Sequence, residues 1–328
     1  MKKIIFISLF FVSMMIFFSN FSKRLPIVAI ANYGSLKDIN ISIDGIKSEL
    51  EKNGFIENKN IKIEIADVAF DHSLIPQIVT KLKNQKPKVM VVISTPIAQF
   101  AKGQIKNIPL VFDAITDPIA EGILQSEFEP NENITGSSDR QNLDILLAFS
   151  KEIFPNAKTI GMFNLTSDVN DAFLIEMMKK SAKKFGLSIM CVPIDHVRDI
   201  PIRMQKFKGK VDFIYVGASG LHTAMPTISM EAIKMNIPVL DSEDQSVKNG
   251  LALASFGVNY ETVGRNAGKL ISKILKTSEK NNFNEWRDLP KPIFPKAEDH
   301  KCFVNEKLAK KFGIKIPKNV TIIKEVRK

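Results

Sequence analysis

The runs VMVVI (Val89–Ile93) and PLVFDAI (Pro109–Ile115) constrain this chain more than anything else in it. Both are nearly unbroken in apolar residues, so a strand made from either carries apolar side chains on both faces. Strands buried on both faces belong to parallel sheets, whose crossover helices cover each side. The flanking sequence agrees. LPIVAIA (Leu25–Ala31) reads as a strand, and Ile39, Ile43, Ile46 and Leu50 mark one face of a helix that ends at Asn53-Gly54. IKIEIA (Ile61–Ala66) alternates as a strand, and a helix is expected around Ile75 to Leu82.

NITGSSDRQ (Asn133–Gln141) breaks this alternation with turn-forming residues, and the alternation then resumes. Helices near Leu143–Ile153 and through Phe173, Met178 and Phe185 alternate with the strands TIGMFN, LSIMCV, FIYVG and PVLD. LALASFGV (Leu251–Val258) is a further strand, followed by a helix carrying Val263, Ala267, Leu270 and Ile274 on one side. A short helix near Asn305–Phe312 and the run VTII (Val320–Ile323) close the chain. At 328 residues the chain suits two lobes of about 100 to 150 residues each. The expected fold is α/β: two Rossmann-like, doubly wound parallel-sheet lobes with an interlobe cleft. The expected boundaries are 25–138 plus 258–283 for the first lobe and 139–257 plus 284–328 for the second.

Residues 1–24 stand apart. Lys2 and Lys3 precede an apolar run from Ile4 to Phe18, the pattern of a secretory signal, too short to span a bilayer easily. SNFSKR (Ser19–Arg24) has neither a small-residue cleavage pattern nor a lipid-accepting cysteine. Export is expected, with a retained N-terminal anchor as the alternative. The net charge of +11 comes from 39 lysines and only 7 arginines, scattered along helices as in KKSAKKFG (Lys179–Gly186). A nucleic-acid reader concentrates arginine and aromatic residues on one face, so no nucleic-acid partner is expected. The lysine surface is compatible with weak attraction to an anionic membrane. Cys191 and Cys302 read as two separate thiols.

In open parallel sheets, ligands bind beyond the carboxyl ends of the strands. Two similar turns, STPIAQ (Ser94–Gln99) and TDPIAE (Thr116–Glu121), stand at those ends. Proline after a hydroxyl or acid is how a helix starts. Yet each turn holds two polar residues where a cap needs one. Ser94 and Thr95 suit a carboxylate, and Asp117, beside Thr116, an ammonium group. The second half offers Asn164, Gly217 to Gly220 with Ser219, and Ser242 with Glu243. His72, His196, His222 and His300 have no metal-ligand spacing, and phosphate-binding and dinucleotide fingerprints are absent, so no metal or cofactor is expected. Ser219 with His222 gives only a weak hydrolase alternative, since GASG is not a nucleophile elbow and no acid is evidently placed to orient the histidine.

The run from Lys88 to Leu124, together with NITGSSD, FPNAKTIGMFN, VDFIYVG, the stretch from Asn236 to Leu275 and KLAKKFGI, resembles the ABC-transporter substrate-binding proteins of the tryptophan- and tyrosine-binding TrpX type. The resemblance covers nearly the whole chain after the N-terminal segment, in order. It implies a periplasmic-binding-protein type I fold whose two lobes, joined by three crossings, close on a small solute. It also implies ligand contacts at Ser94, Thr95, Thr116, Asp117, Ser137, Ser138 and Asn164. Three departures bear on the ligand. Gly217-Ala218-Ser219-Gly220 replaces a proline-threonine-aspartate-asparagine turn, Ser242-Glu243 replaces a serine-aspartate pair, and Asn32-Tyr33-Gly34 replaces a histidine-proline neighbourhood, which adds Tyr33 to the ligand-facing set. The function implied is an exported solute-binding component that serves an ABC permease and, through it, an ATPase. An extracytoplasmic sensor passing occupancy to a membrane receptor is the runner-up.

Overall fold

The computed structural model describes residues 25–166, 169–217, 220–280, 286–318 and 320–324. The N-terminal signal or anchor and Ser219 lie outside them. The chain forms two compact units. One runs to Ser137 and includes Gly264–Ile293; the other is Ser138–Val263 with the chain from Phe294 onward.

The first unit contains β1 (Ile27–Asn32), α1 (Lys37–Lys52), β2 (Lys62–Asp67), α2 (Ile75–Asn84), β3 (Val89–Ile93), α3 (Thr95–Gln104), β4 (Leu110–Asp113) and β5 (Ile134–Ser137). Its sheet has the order β2-β1-β3-β4-β5, and every pairing is parallel. β3 and β4 are buried at every residue, as their unbroken apolar runs require. β5 corrects the reading of NITGSSD as a break, because ITGS completes the sheet. Its small residues hide the strand pattern, and the packing explains one of them. A Cβ on Gly136 would lie 2.2 Å from the Phe112 carbonyl oxygen.

The second unit contains α4 (Leu143–Ile153), β6 (Thr159–Leu165), α5 (Val169–Lys184), β7 (Ser188–Ile194), α6 (Ile200–Met204), β8 (Phe213–Val216), α7 (Met225–Lys234), β9 (Val239–Asp241), α8 (Asp244–Lys248) and β10 (Ala254–Val258). α9 (Tyr260–Lys280) carries the chain into the first unit, and β11 (His300–Asn305), α10 (Glu306–Phe312) and β12 (Thr321–Ile323) return it to the second. The sheet order is β12-β11-β10-β9-β8-β6-β7. β11 is antiparallel to β10, and the other pairings of this sheet are parallel, in keeping with the expected α/β class. HKCFVN escaped the sequence reading because its burial does not follow a clean alternation. Cys191 and Cys302 are free thiols. No described helix is long and apolar enough to cross a membrane.

The boundaries differ from those expected. Residues up to Ile293 belong to the first unit, because Ile293 donates to the Gly136 carbonyl and Thr135 donates to that of Pro290. The break after α9 was expected at residue 283, on the strength of helix periodicity, which does not register a strand-edge contact of this kind.

Two buried contacts hold these units internally. In the first, α9 crosses α1 so closely that a Cβ on Gly264 would sit 1.8 Å from the Ser42 carbonyl oxygen. Ser42, fully buried, donates its hydroxyl hydrogen to Asp113 at 2.6 Å. In the second unit, His300 stacks on Phe256 at 4.9 Å, donates from Nδ1 to the Lys296 carbonyl and accepts at Nε2 from the Asn142 N–H. That acceptor exists only on the neutral ring, and burial holds the pKa of His300 below its ordinary 6.5.

Three outcomes are expected. Gly264→Ala lowers unfolding free energy by about 2 kcal/mol or more in denaturant titration, because the helices cannot part without losing packing. Gly103→Ala, in α3 with open space around it, raises it by ~0.5–1 kcal/mol. For His300 the unfolded chain takes up the proton more readily than the folded one. Its contribution is complete above pH 6.5 and is lost as pH falls toward the lower folded value. The unfolding free energy of His300→Gln therefore depends less steeply on pH below 6.5 than that of the parent.

Candidate functional site

In the first unit β3 and β4 pair in parallel with Ile93 opposite Asp113, and the Ser94 N–H donates to the Asp113 carbonyl. This register sets the two similar turns side by side. Their final residues also touch, for the Gln99 amide donates to the side chain and the carbonyl of Glu121 at 3.1 and 3.0 Å. The turns differ in what they start. STPIAQ opens α3, with proline in its first turn, whereas TDPIAE forms only a turn. There Asp117 accepts from the Ile119 and Ala120 N–H groups at 3.2 and 3.0 Å.

Ser94 is the point of strain. It has φ 77° and ψ 150°, a region nearly confined to glycine that costs a side-chain residue about 1–3 kcal/mol. Its hydroxyl makes no capping bond to α3, so helix initiation does not account for it. Ala114, the equivalent residue after β4, also has positive φ, 54°. At β5 the Ser137 hydroxyl is fully buried and has no hydrogen-bond partner, while Ser138 accepts from the Arg140 N–H. At β1, Asn32 donates to Asp67 and to the Gly34 carbonyl, leaving its buried Oδ1 without a partner. Tyr33 meets Phe70 edge-on at 5.9 Å and His72 at 6.4 Å, and Phe70 remains 51% exposed. Polar groups from β1, β3, β4 and β5 thus share one edge of this sheet with an aromatic cluster.

The strand ends of the second unit form another group. His222 lies between two acids, with Nε2 2.8 Å from Asp241 and Nδ1 3.1 Å from Glu243; the Ser242 hydroxyl is 3.4 Å from Nε2. Asp241 is fully buried, and its second oxygen has no hydrogen-bond partner. The acids that the sequence reading failed to find beside His222 are therefore present, supplied by β9 and the turn after it. Asn164, at the end of β6, also keeps a buried oxygen without a partner. At Gly217 the space a Cβ would fill is taken by Leu174 of α5, at 2.1 Å. Beneath this edge the buried Tyr215 hydroxyl donates to Gln141 at 2.6 Å, and Gln141 donates to the Phe256 carbonyl. Burial, with the charge of Asp241 second, pushes the Tyr215 pKa far up and keeps it a donor.

Asp113 and Asp241 are not in the ligand-facing set read from the sequence, and His222 entered it only through the weak hydrolase alternative. A carboxylate closing an apolar run, as in LVFD and PVLD, was the available signal. Such an acid is costly to bury without partners, so its presence marks a strand end with something to hold.

The family model for ABC transporter substrate binding proteins matches residues 27–326. The chain belongs to that family. This substrate-binding protein is 31% identical over 256 residues to a tyrosine-binding protein of Clostridioides difficile (strain R20291), covering 78% of this chain and 74% of that one. Its fold matches the ligand-free, open structure of a substrate binding protein with adhesive properties from Clostridium difficile, with TM-score 0.79, 30% identity, and coverage of 92% and 100%. It also matches an ABC domain in complex with L-Trp from Streptococcus pneumonia, with TM-score 0.75, 25% identity, and coverage of 91% and 100%. The family is one of binding proteins, not enzymes, which disposes of the hydrolase alternative on Ser219 and His222.

The strain at Ser94 has a measurable counterpart. Ser94→Gly removes the Cβ penalty and raises unfolding free energy by about 1 kcal/mol, as read by denaturant titration.

Proposed function

We propose that this protein is the exported, extracytoplasmic binding component of an ABC importer and captures an amino acid at the carboxyl ends of its parallel strands. The observation that carries this is Ser94, a strained residue whose hydroxyl is not used in capping, set by the β3–β4 register beside Thr116 and Asp117. Ser94 and Thr95 hold the ligand's carboxylate through hydroxyl donors, and Asp117 attracts its ammonium group. Ser137 and Ser138 extend this polar edge. In the second unit Asn164, Ser242 and Glu243 provide further polar groups.

Two relatives support an amino-acid ligand, one described as tyrosine-binding and one in complex with L-Trp. The Tyr33–Phe70 cluster gives an aromatic side chain an edge or face to pack against, worth about 0.5–1.5 kcal/mol beyond area burial. Tyrosine, tryptophan and phenylalanine are therefore the first ligands to test. The sequence has no ATP-binding loop, so transport energy comes from a partner ATPase acting through the permease. Export fits the charged and apolar pattern of residues 1–24.

A thermal-shift panel of the amino acids tests the reading. A ligand at about 100 times its Kd adds ~2.7 kcal/mol of stability, a shift of several degrees. Thr95→Ala and Asp117→Ala each weaken that ligand by roughly tenfold or more, the loss of one hydrogen bond to a charged group. An unchanged shift in both variants moves the site away from the two turns. No shift with any amino acid removes the amino-acid ligand.

A further inference from the structure

The opposite edge of the first sheet, where the strands begin, carries a basic cavity. A cavity of about 530 Å³ opens there between the loops that enter β3 and β4, lined by Lys83, Asn84, Lys86, Lys88 and Asn107 and walled by Ser278 of α9. Lys86 and Lys88 are exposed and form no ion pair among the described residues. Lys83 donates to the Gln104 carbonyl at 3.3 Å. Acids elsewhere on the loops of this edge are already matched: Glu57 with Lys47 at 3.5 Å, Glu132 with Lys106 at 3.0 Å and Glu129 with Lys291 at 2.7 Å. The cavity thus sets three lysines together with no acid among its lining residues. Its free amides on Asn84 and Asn107 add hydrogen-bond donors beside the ammonium groups, a set that suits a phosphate oxygen.

We infer that this edge docks on anionic phospholipid, with headgroup phosphates taken by Lys83, Lys86 and Lys88. The chain's own course selects the lipid as the source of phosphate. Leu25 and Pro26 enter β1 at this same edge, and the Lys88 N–H donates to the Ile27 carbonyl at 2.9 Å. Residues 1–24 immediately precede Leu25, so where their apolar run Ile4–Phe18 is retained in a membrane, this edge is the part of the first unit that follows it in the chain. The strand ends that carry the candidate ligand groups lie at the other end of the same sheet, so docking leaves them exposed to solvent.

The test is co-sedimentation of the full chain with vesicles of phosphatidylcholine, or of phosphatidylcholine with one quarter phosphatidylglycerol, at about 0.1 M salt. Each lysine at an anionic surface multiplies affinity by about fivefold. The parent chain should favour the anionic vesicles by tenfold or more, and the preference should vanish by about 0.5 M salt. K83Q/K86Q/K88Q should lose the preference while binding phosphatidylcholine like the parent. K179Q/K180Q/K183Q, which removes the same charge from α5, should keep it. Lys86→Gln and Lys88→Gln alone, at exposed positions, should each cut it severalfold, which keeps the test valid if the triple variant folds poorly. Equal loss in the α5 variant overturns the proposal in favour of bulk charge. No preference in the parent chain overturns it outright. Full competition by 10 mM inorganic phosphate overturns the lipid source and leaves a free-phosphate site.

Discussion

The parallel pairing of β3 with β4 is the contact on which the rest of the first unit depends. Both strands are buried on both faces, so neither can lie at a solvent edge, and each needs a neighbour on either side. Their register puts Ile93 opposite Asp113. That single alignment carries the two turns to one place, links Gln99 to Glu121, and sets the Ser94 N–H on the Asp113 carbonyl. A slip of one residue would turn every one of these side chains to the other face.

The same pairing explains why strain and buried charge coincide there. Asp113 closes an apolar strand, is fully buried, and takes a hydrogen from Ser42, which α9 covers at Gly264. The arrangement runs from a helix crossing, through a buried hydroxyl and carboxylate, to a serine held in a conformation that glycine prefers. Stability and the polar strand end are therefore linked in one network. The second unit solves the corresponding problem differently, with a histidine held between Asp241 and Glu243 and a buried tyrosine anchored by Gln141 beneath.

The two proposed roles, ligand capture and membrane docking, fall at the two ends of the first sheet. Strand ends gather hydroxyls, amides and an exposed aromatic ring, chemistry suited to a small zwitterion with an aromatic side chain. Strand starts gather unmatched lysines next to the entry of an apolar segment. A parallel sheet separates these ends by construction, since all of its strands point the same way. A protein that holds a solute on one side and faces a membrane on the other can be built on that polarity alone.

Much of this was legible in the sequence because periodicity is a local property. Unbroken apolar runs gave parallel strands, spaced apolar residues gave helix faces, and proline after a hydroxyl marked the turns. The strands ITGS and HKCFVN were not legible, since their small or irregularly buried residues carry no period. Their place comes from partners far away in the chain, Phe112 for one and Phe256 for the other. The polar residues of the two turns were readable as candidates, and so was their meeting, because two strands of this kind were expected to be neighbours and β3 pairs with β4. Only the tertiary structure decided that Gln99 meets Glu121, that TDPIAE caps a turn rather than a helix, that His222 sits between two acids, and that residues up to Ile293 return to the first sheet. Sequence determines what a segment buries; which distant group it buries against is settled only when the sheets assemble.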